Sequence, residues 1–297
     1  MTSLEIPTIT TDKQNTRTFR HVLTVIARDP LSLASTIVII IFFLVAVFAR
    51  QIAPFPLEGA GKTNVSDSML PPSTGHPLGA DKLGRDILSR VIVGAQPALF
   101  ISIGVVLIAI LIGAPLGALA GYKGGWVDEL IMRVTDLFLA FPPLLLAMAI
   151  VAALGPGLVN AALALVISWW PWYARLARGT ATSLRERSFI EAARSIGVSD
   201  ATILRRHIIP NSLTPLLVQA TIDIGTVILA AGSLAFLGLG ASPPTPDWGL
   251  MVAEGRTYIL DQWWLSGFPG LAIFVAVLAF NLVGDLLVDL LDPRGTK

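Results

Sequence analysis

Few side chains in this sequence are placed to do chemistry, and they fall into four groups. The first is Gly59-Ala60-Gly61-Lys62-Thr63, which reads like the end of a phosphate-binding loop. Such a loop needs a glycine five residues before Gly61, so that backbone amides can wrap the phosphates. Pro56 stands there, and the run before it is apolar and long rather than a short buried strand. The chain is therefore expected to carry no ATP site of its own. The second group is His21, His76 and His207, which are far apart and lie outside the apolar runs. No nucleophile–base pair accompanies them, which weighs against an intramembrane enzyme. The third is Asp223, a lone carboxylate within the apolar run Leu213 to Leu237. A charge at mid-membrane costs roughly 2.5–3.5 kcal/mol on insertion scales, so it should face a bundle interior or a watery cavity. It lines a pathway, makes a polar contact between subunits, or lies too near the end of the span to be costly. The fourth is the polar stretch Glu191-Ala192-Ala193, Gly197, His207 and Pro210.

That stretch reads as helix, turn, helix. Arg187 to Ile196 has good helix formers, with Phe189, Ala192, Ala193 and Ile196 spaced for one face. Gly197 follows the last periodic residue, where a left-handed cap favours glycine. Ser199 can cap a second helix with Asp200 in its first turn, and Pro210 is expected to close it. Three readings fit: a solvated loop, a DNA-binding helix-turn-helix, or a docking element for another protein. A DNA reader is usually a soluble module, whereas apolar runs flank this element on both sides.

The elements that must position these groups are membrane helices. The 297 residues are 54% hydrophobic and 14% charged, against about 25% charged in soluble domains. With no cysteine, disulfides and thiolate metal sites are excluded. The first thirty residues are polar and basic and show no cleavable signal peptide. Six spans are expected. The divisions are a tail over 1–30, a first transmembrane helix over 31–53, an external segment over 54–96, and a five-span domain over 97–292. Within the external segment, Leu78 to Arg90 reads as an amphipathic interfacial helix, with Leu83, Ile87, Leu88 and Val91 on one face. Gly155-Pro156-Gly157 separates the third and fourth spans, and Pro142-Pro143 should kink the third. The coupling loop 175–212 lies between spans four and five.

Six spans put both termini on one side. Assigning that side as inside leaves only Arg50, Lys62, Lys82, Arg85, Arg90 and Arg256 of the 21 Lys and Arg residues outside. The positive-inside rule then makes both termini and the element around Gly197 cytoplasmic.

Glu191-Ala192-Ala193, Gly197 and Ile209-Pro210-Asn211 resemble the coupling motif of permease subunits of ABC importers. Leu83-Gly84-Arg85-Asp86, Gly124-Gly125-Trp126-Val127-Asp128, Phe236-Leu237-Gly238-Leu239-Gly240 and Leu291-Asp292-Pro293-Arg294 resemble motifs of the dipeptide/oligopeptide/nickel branch. His207 agrees with that branch, while Ile209 and Ala80 replace its commoner leucine and threonine. The long segment after the first span resembles the C-type of the two paired permeases. The resemblance implies an all-α membrane protein with the type I importer permease fold. It implies an inner-membrane permease of a binding-protein-dependent importer for di- or oligopeptides, or alternatively for nickel chelates or another small solute. The implied partners are a B-type permease, two ATP-binding subunits that use ATP and Mg, an external solute-binding protein and membrane lipid, with no nucleic acid. Glu191, Ala192, Ala193, Gly197, His207 and Pro210 would then lodge against an ATPase subunit. A stand-alone channel or secondary carrier is the alternative of another class. Such carriers usually place several ionisable groups at midplane and often show inverted repeats. Here Asp223 stands alone and no repeat is visible.

Overall fold

The computed structural model describes residues 29–291. The tail before Asp29 and the Asp292-Pro293-Arg294 ending lie outside the described residues. Among the described residues the architecture is helical throughout, with one isolated bridge between Ala80 and Asp86. The helices are α1 (Pro30–Val47), α2 (Ile87–Lys123), α3 (Gly125–Leu139), α4 (Pro143–Leu154), α5 (Leu158–Arg185), α6 (Ser188–Ser195), α7 (Ile209–Phe236), α8 (Trp248–Gly255) and α9 (Trp264–Leu291). Four are long and apolar enough to cross a membrane: α1, α2, the continuous stretch Asp200–Phe236 that contains α7, and α9. The pair α3 and α4 passes the same test jointly but is bent by 84°. The bend sits at Pro142-Pro143, because the residue before a proline is driven out of the helical region. Pro142 has φ −55° and ψ 128°.

The chain enters the bundle through α1. Asp29 caps it, accepting from the Ser32 amide (2.9 Å), and Pro30 fills the first helical position, where an amide would go unused. Ser32, Ser35, Phe42 and Ala46 face inward, whereas Ile37, Ile40, Ile41, Leu44 and Val47 are exposed.

The closest helix pairing is α2 against α5. A β-carbon on Gly113 would stand 2.4 Å from the Trp170 carbonyl oxygen. On Gly117 it would stand 1.9 Å from that of Ala174, and on Gly121 2.4 Å from that of Arg178. Both sets repeat every four residues, so each is one helix face meeting the other. Lipid tails are as apolar as leucine, so helices in a bilayer associate through such close backbone packing. One buried cluster lies beside this seam, with Val105, Ala109, Val151, Leu165, Trp169, Trp170, Tyr173, Leu216 and Val227. A second gathers Phe42, Leu99, Ile228, Trp248, Met251 and Phe280.

Three elements differ from the sequence reading. Residues 78–86 are a folded loop rather than an amphipathic helix, and helix starts only at Ile87. Asp81 Oδ1 accepts from the amides of Leu83 (2.8 Å) and Arg85 (3.0 Å), which offers the backbone an alternative to helix. Asp86 then caps α2, accepting from the Ser89 amide at 2.7 Å. Second, most of Tyr122 to Arg133 is the start of α3 rather than loop. Third, α5 does not stop near Tyr173 but runs through Pro171 to Arg185.

The capping aspartate Asp86 is fully buried and holds His76 Nδ1 at 2.9 Å, while His76 Nε2 lies 3.4 Å from Asp67. The imidazole also stacks on Phe55, with centroids 5.1 Å apart. Burial pushes against a charge on His76, but the hydrogen bonds from Asp86 and Asp67 outweigh it and raise its pKa.

Two predictions follow from this packing. Gly117→Ala should destabilise the purified chain by about 1–3 kcal/mol through overpacking. Gly104→Ala should be neutral or slightly stabilising, since its β-carbon meets nothing within 4 Å. Thermal unfolding in detergent compares the two. For His76, a raised folded pKa adds stability that is complete below the unfolded value near ~6.5 and is lost as pH rises through the folded value. The Tm of the wild type should therefore fall between about pH 6 and pH 8 relative to that of His76→Gln.

Candidate functional site

The polar element sits at the end of the bundle opposite the 55–86 loop. α6 carries Glu191, Ala192 and Ala193, and Gly197 follows with φ +78°. That conformation is left-handed, and a β-carbon there would meet no atom within 4 Å, so the turn is set by backbone preference alone. Ser199 accepts from the Thr202 amide and starts the next helical turn, Asp200–Ile203.

Pro210 does not end this second helix. A π-turn spans Leu204–Ile208, the Ile209 amide bonds to the Leu204 carbonyl five residues back, and α7 continues from there. The wider turn accommodates a proline that lacks an amide and would crowd the carbonyl four residues back. Residues 200–236 thus form one continuous rod from the polar element into the bundle.

Two faces of the element differ. Ile190, Ile203 and Ile208 are fully buried against Ala118, Tyr122 and Ala181. On the other face Glu191 and Ala192 are exposed, Phe189 is 45% exposed and Ile196 is 81% exposed. His207 is half-buried, with its ring 6.1 Å from that of Phe189. Of the residues singled out from sequence, Glu191, Ala192, Ala193, Gly197, His207 and Pro210 therefore share one small region. Asp223 lies apart from them, within α7.

The contacts that hold the element join residues whose pairing had no sequence signal. The Tyr122 hydroxyl donates to Asp200 Oδ1 (2.7 Å), and Lys123 Nζ donates to Asp200 Oδ2 (2.6 Å). The Arg194 guanidinium lies over the Tyr122 ring, 4.9 Å from its centroid, and its Nε donates to the Tyr122 oxygen at 3.3 Å. The end of α2 is thereby tied both to α6 and to the turn after Gly197. A second tie joins α3 to α5. Arg178 makes a two-point pair with Asp128 (2.6 and 2.7 Å), and Arg175 pairs with Asp136.

Asp223 is buried inside the bundle, where a carboxylate on a membrane helix belongs. Its Oδ1 accepts from Gln219 Nε2 at 3.1 Å, one turn nearer the polar element. Its remaining oxygen faces the buried Tyr173 hydroxyl of α5, just outside close hydrogen-bond geometry. Gln219 also lines a groove between α5 and α7, with Trp172, Arg175, Gly179, Thr180 and Ser183.

The Gly59 to Thr63 stretch has a packing role. A β-carbon on Gly59 would meet Val93 at 2.9 Å, and one on Gly61 would meet Pro244 at 2.6 Å. No group of three or more potential metal-binding side chains occurs among the described residues.

Comparison with known proteins agrees with this architecture. A family profile described as "Binding-protein-dependent transport system inner membrane component" matches residues 113–297. Another, described as "N-terminal TM domain of oligopeptide transport permease C", matches residues 18–72. The probable D,D-dipeptide transport system permease protein DdpC of Escherichia coli (strain K12) is 43% identical over 294 residues, covering 99% of this chain and 98% of its own. The glutathione transport system permease protein GsiD of Escherichia coli O6:K15:H31 (strain 536 / UPEC) is 48% identical over 268 residues, covering 90% and 88%. An inward-facing structure of the MetNI methionine ABC transporter shares the fold, with a TM-score of 0.55 at 19% identity, covering 68% of this chain and 96% of that one. With its apolar helices, its matched profile and these relatives, the chain belongs to the multi-pass inner-membrane permease components of binding-protein-dependent ABC transport systems.

Proposed function

We propose that this chain is the C-type permease subunit of an ATP-driven importer of short peptides, and that α6 with the turn at Gly197 couples it to an ATPase subunit. The observation that carries the coupling role is the exposed apolar face of Phe189 and Ile196 on an element clamped rigidly from behind. Phe189 and Ile196 are seven residues apart, so with Ala192 between them they form one exposed apolar strip on a helix face rather than a single exposed side chain. Ala192 and Ala193 allow close approach, and the exposed Glu191 can pair with a basic or amide group of the partner. ATP and Mg would be used by two separate ATP-binding subunits. A B-type permease would complete the pathway, and an external binding protein would deliver the solute. Both relatives described above are named for small peptides, a D,D-dipeptide and glutathione, which favours peptide cargo over nickel chelates.

On this reading the element and both termini are cytoplasmic and the 55–86 loop is external. α5 supplies the additional crossing that brings the count to six. It is 28 residues long, although its Trp-Pro-Trp-Tyr centre makes it less apolar than the others. The groove beside Gln219 would be this subunit's part of the inner pathway. Asp223 is linked to that groove through Gln219, one turn away on α7.

Two measurements test this. Gly197→Asp costs only ~1–2 kcal/mol of backbone strain, yet it sets a charge beside Ile196. In the reconstituted importer, peptide uptake should fall at least tenfold while the Tm of the purified chain falls by only a few degrees; normal, ATP-coupled uptake would contradict the assignment. Asp200→Ala cuts the bonds from Tyr122 and Lys123. Amide exchange across residues 188–203 should accelerate, with exchange in α9 unchanged and uptake reduced. Unchanged exchange in 188–203 would show that the clamp does not hold the element.

A further inference from the structure

At the opposite end of the bundle two arginines are buried together. Arg85 and Arg90 are each 1% exposed. Arg85 takes the close partners: its Nε donates to Asp81 Oδ2 (2.6 Å) and its Nη2 donates to Glu254 Oε2 (3.1 Å). Asp81 Oδ1 is already occupied by the amides of Leu83 and Arg85. Arg90 is left at 3.7 Å from Asp81 and 3.8 Å from Glu254. Its Nε, Nη1 and Nη2 are buried and make no hydrogen bond within the chain.

A guanidinium has five N–H donors and accepts nothing. Buried donors seek acceptors, and a buried charge seeks compensation. The charge count sharpens the point. Lys82, Arg85 and Arg90 face Asp81 and Glu254, with Lys82 Nζ 3.9 Å from Glu254. The two buried arginines face two carboxylates, and Lys82, 42% exposed, adds the excess positive charge at the rim of the cleft. Arg90 lines a narrow cleft that Asp81, Lys82, Glu254 and Tyr258 share with the apolar side chains of Ile87, Met251 and Leu265. The space inside it is about 20 Å³, room for one occupant of about the size of a water molecule. A bridging water would satisfy some of the N–H groups but would leave the excess charge. An acceptor that carries one negative charge answers both needs.

We propose that this cleft binds one small monovalent anion, of the size and charge of chloride, against the Arg90 guanidinium. The anion completes the contact between the start of α2 and α8, and so fastens the 55–86 loop over that end of the bundle. The site does not depend on what the chain transports.

Bromide is the probe. Crystals of the full-length chain grown with bromide in place of chloride should show an anomalous peak in contact with the Arg90 guanidinium. A map with no peak there, or a peak only at molar bromide, overturns the site and leaves ordered water as the partner. Independently, replacing gluconate by chloride at constant ionic strength should raise the Tm of the purified chain along a one-site binding curve. Arg90→Gln should abolish that rise; a rise of equal size in wild type and variant overturns the proposal. Should Arg90→Gln fail to fold, Lys82→Gln removes the excess charge from the rim. The chloride concentration for half-effect should then increase several-fold, and an unchanged value counts against the site.

Discussion

The close approach of α2 and α5 is the constraint on which the rest of the molecule depends. In a bilayer no water is expelled when two apolar helices meet, so only tight packing and hydrogen bonding hold them. Gly113, Gly117 and Gly121 bring backbone against backbone at Trp170, Ala174 and Arg178. This seam fixes where both ends of α2 lie. At one end Asp86 caps the helix and the Arg90 cluster sits on its first turns. At the other end Tyr122 and Lys123 reach Asp200. The far end of α5 leads through only two residues into α6. The two helices packed along the glycines are thus the two that carry the polar element.

Polar groups in this chain are managed by place. At the two ends they pair freely, as in Arg178 with Asp128 and His76 with Asp86. Along the spans the hydroxyls return to their own helix: Ser102, Ser168 and Ser212 donate to carbonyls three or four residues back. Asp223 is different, because its carboxylate accepts from Gln219 and faces the Tyr173 hydroxyl of another helix. A buried carboxylate is costly in a membrane, which is why Asp223 faces the bundle interior rather than lipid. A similar difference separates Arg90 from Arg85: Arg85 bonds two carboxylates, and Arg90 makes no side-chain hydrogen bond within the chain.

Most of the fold was legible in the sequence because apolar run length and proline position are local properties. The first span starts next to its expected bound, and the break at Pro142-Pro143 lies where the chain says it should. The helices of the second, fourth and fifth spans run about ten residues or more beyond their apolar runs, because polar residues continue them outside the apolar core. The turn at Gly197 and the cap at Ser199 were equally legible, since each rests on one residue's preference. What was not legible is long-range. Tyr122 and Asp200 are 78 residues apart, Arg178 and Asp128 are 50 apart, and Arg85 and Glu254 are 169 apart. No periodicity links such pairs. The helical pattern read across Leu78 to Arg90 failed for a related reason. Its apolar spacing is real, but Asp81 and Asp86 spend their oxygens on nearby amides, and Arg85 and Arg90 point into a buried cluster rather than toward water. Pro210 misled because a π-turn, invisible to a period of 3.6, absorbs it.

The two buried clusters overlap only in certain helices. One draws on α2, α4, α5 and α7, the other on α1, α2, α7, α8 and α9. The rods common to both are α2 and the continuous helix from Asp200 to Phe236. Each is 37 residues long, or about 55 Å at 1.5 Å per residue, well beyond a hydrocarbon core of about 30 Å. Both reach the polar element, where Asp200 on one is bonded to Tyr122 and Lys123 on the other. In the mechanism proposed above, a push on α6 therefore cannot move one rod without the other. Close-packed interfaces shift between discrete arrangements rather than deforming smoothly. A displacement at Gly197 would thus pass to the far end as a rigid tilt of both rods. The groove beside Gln219 and the loop fastened near Arg90 lie at the two ends of that tilt.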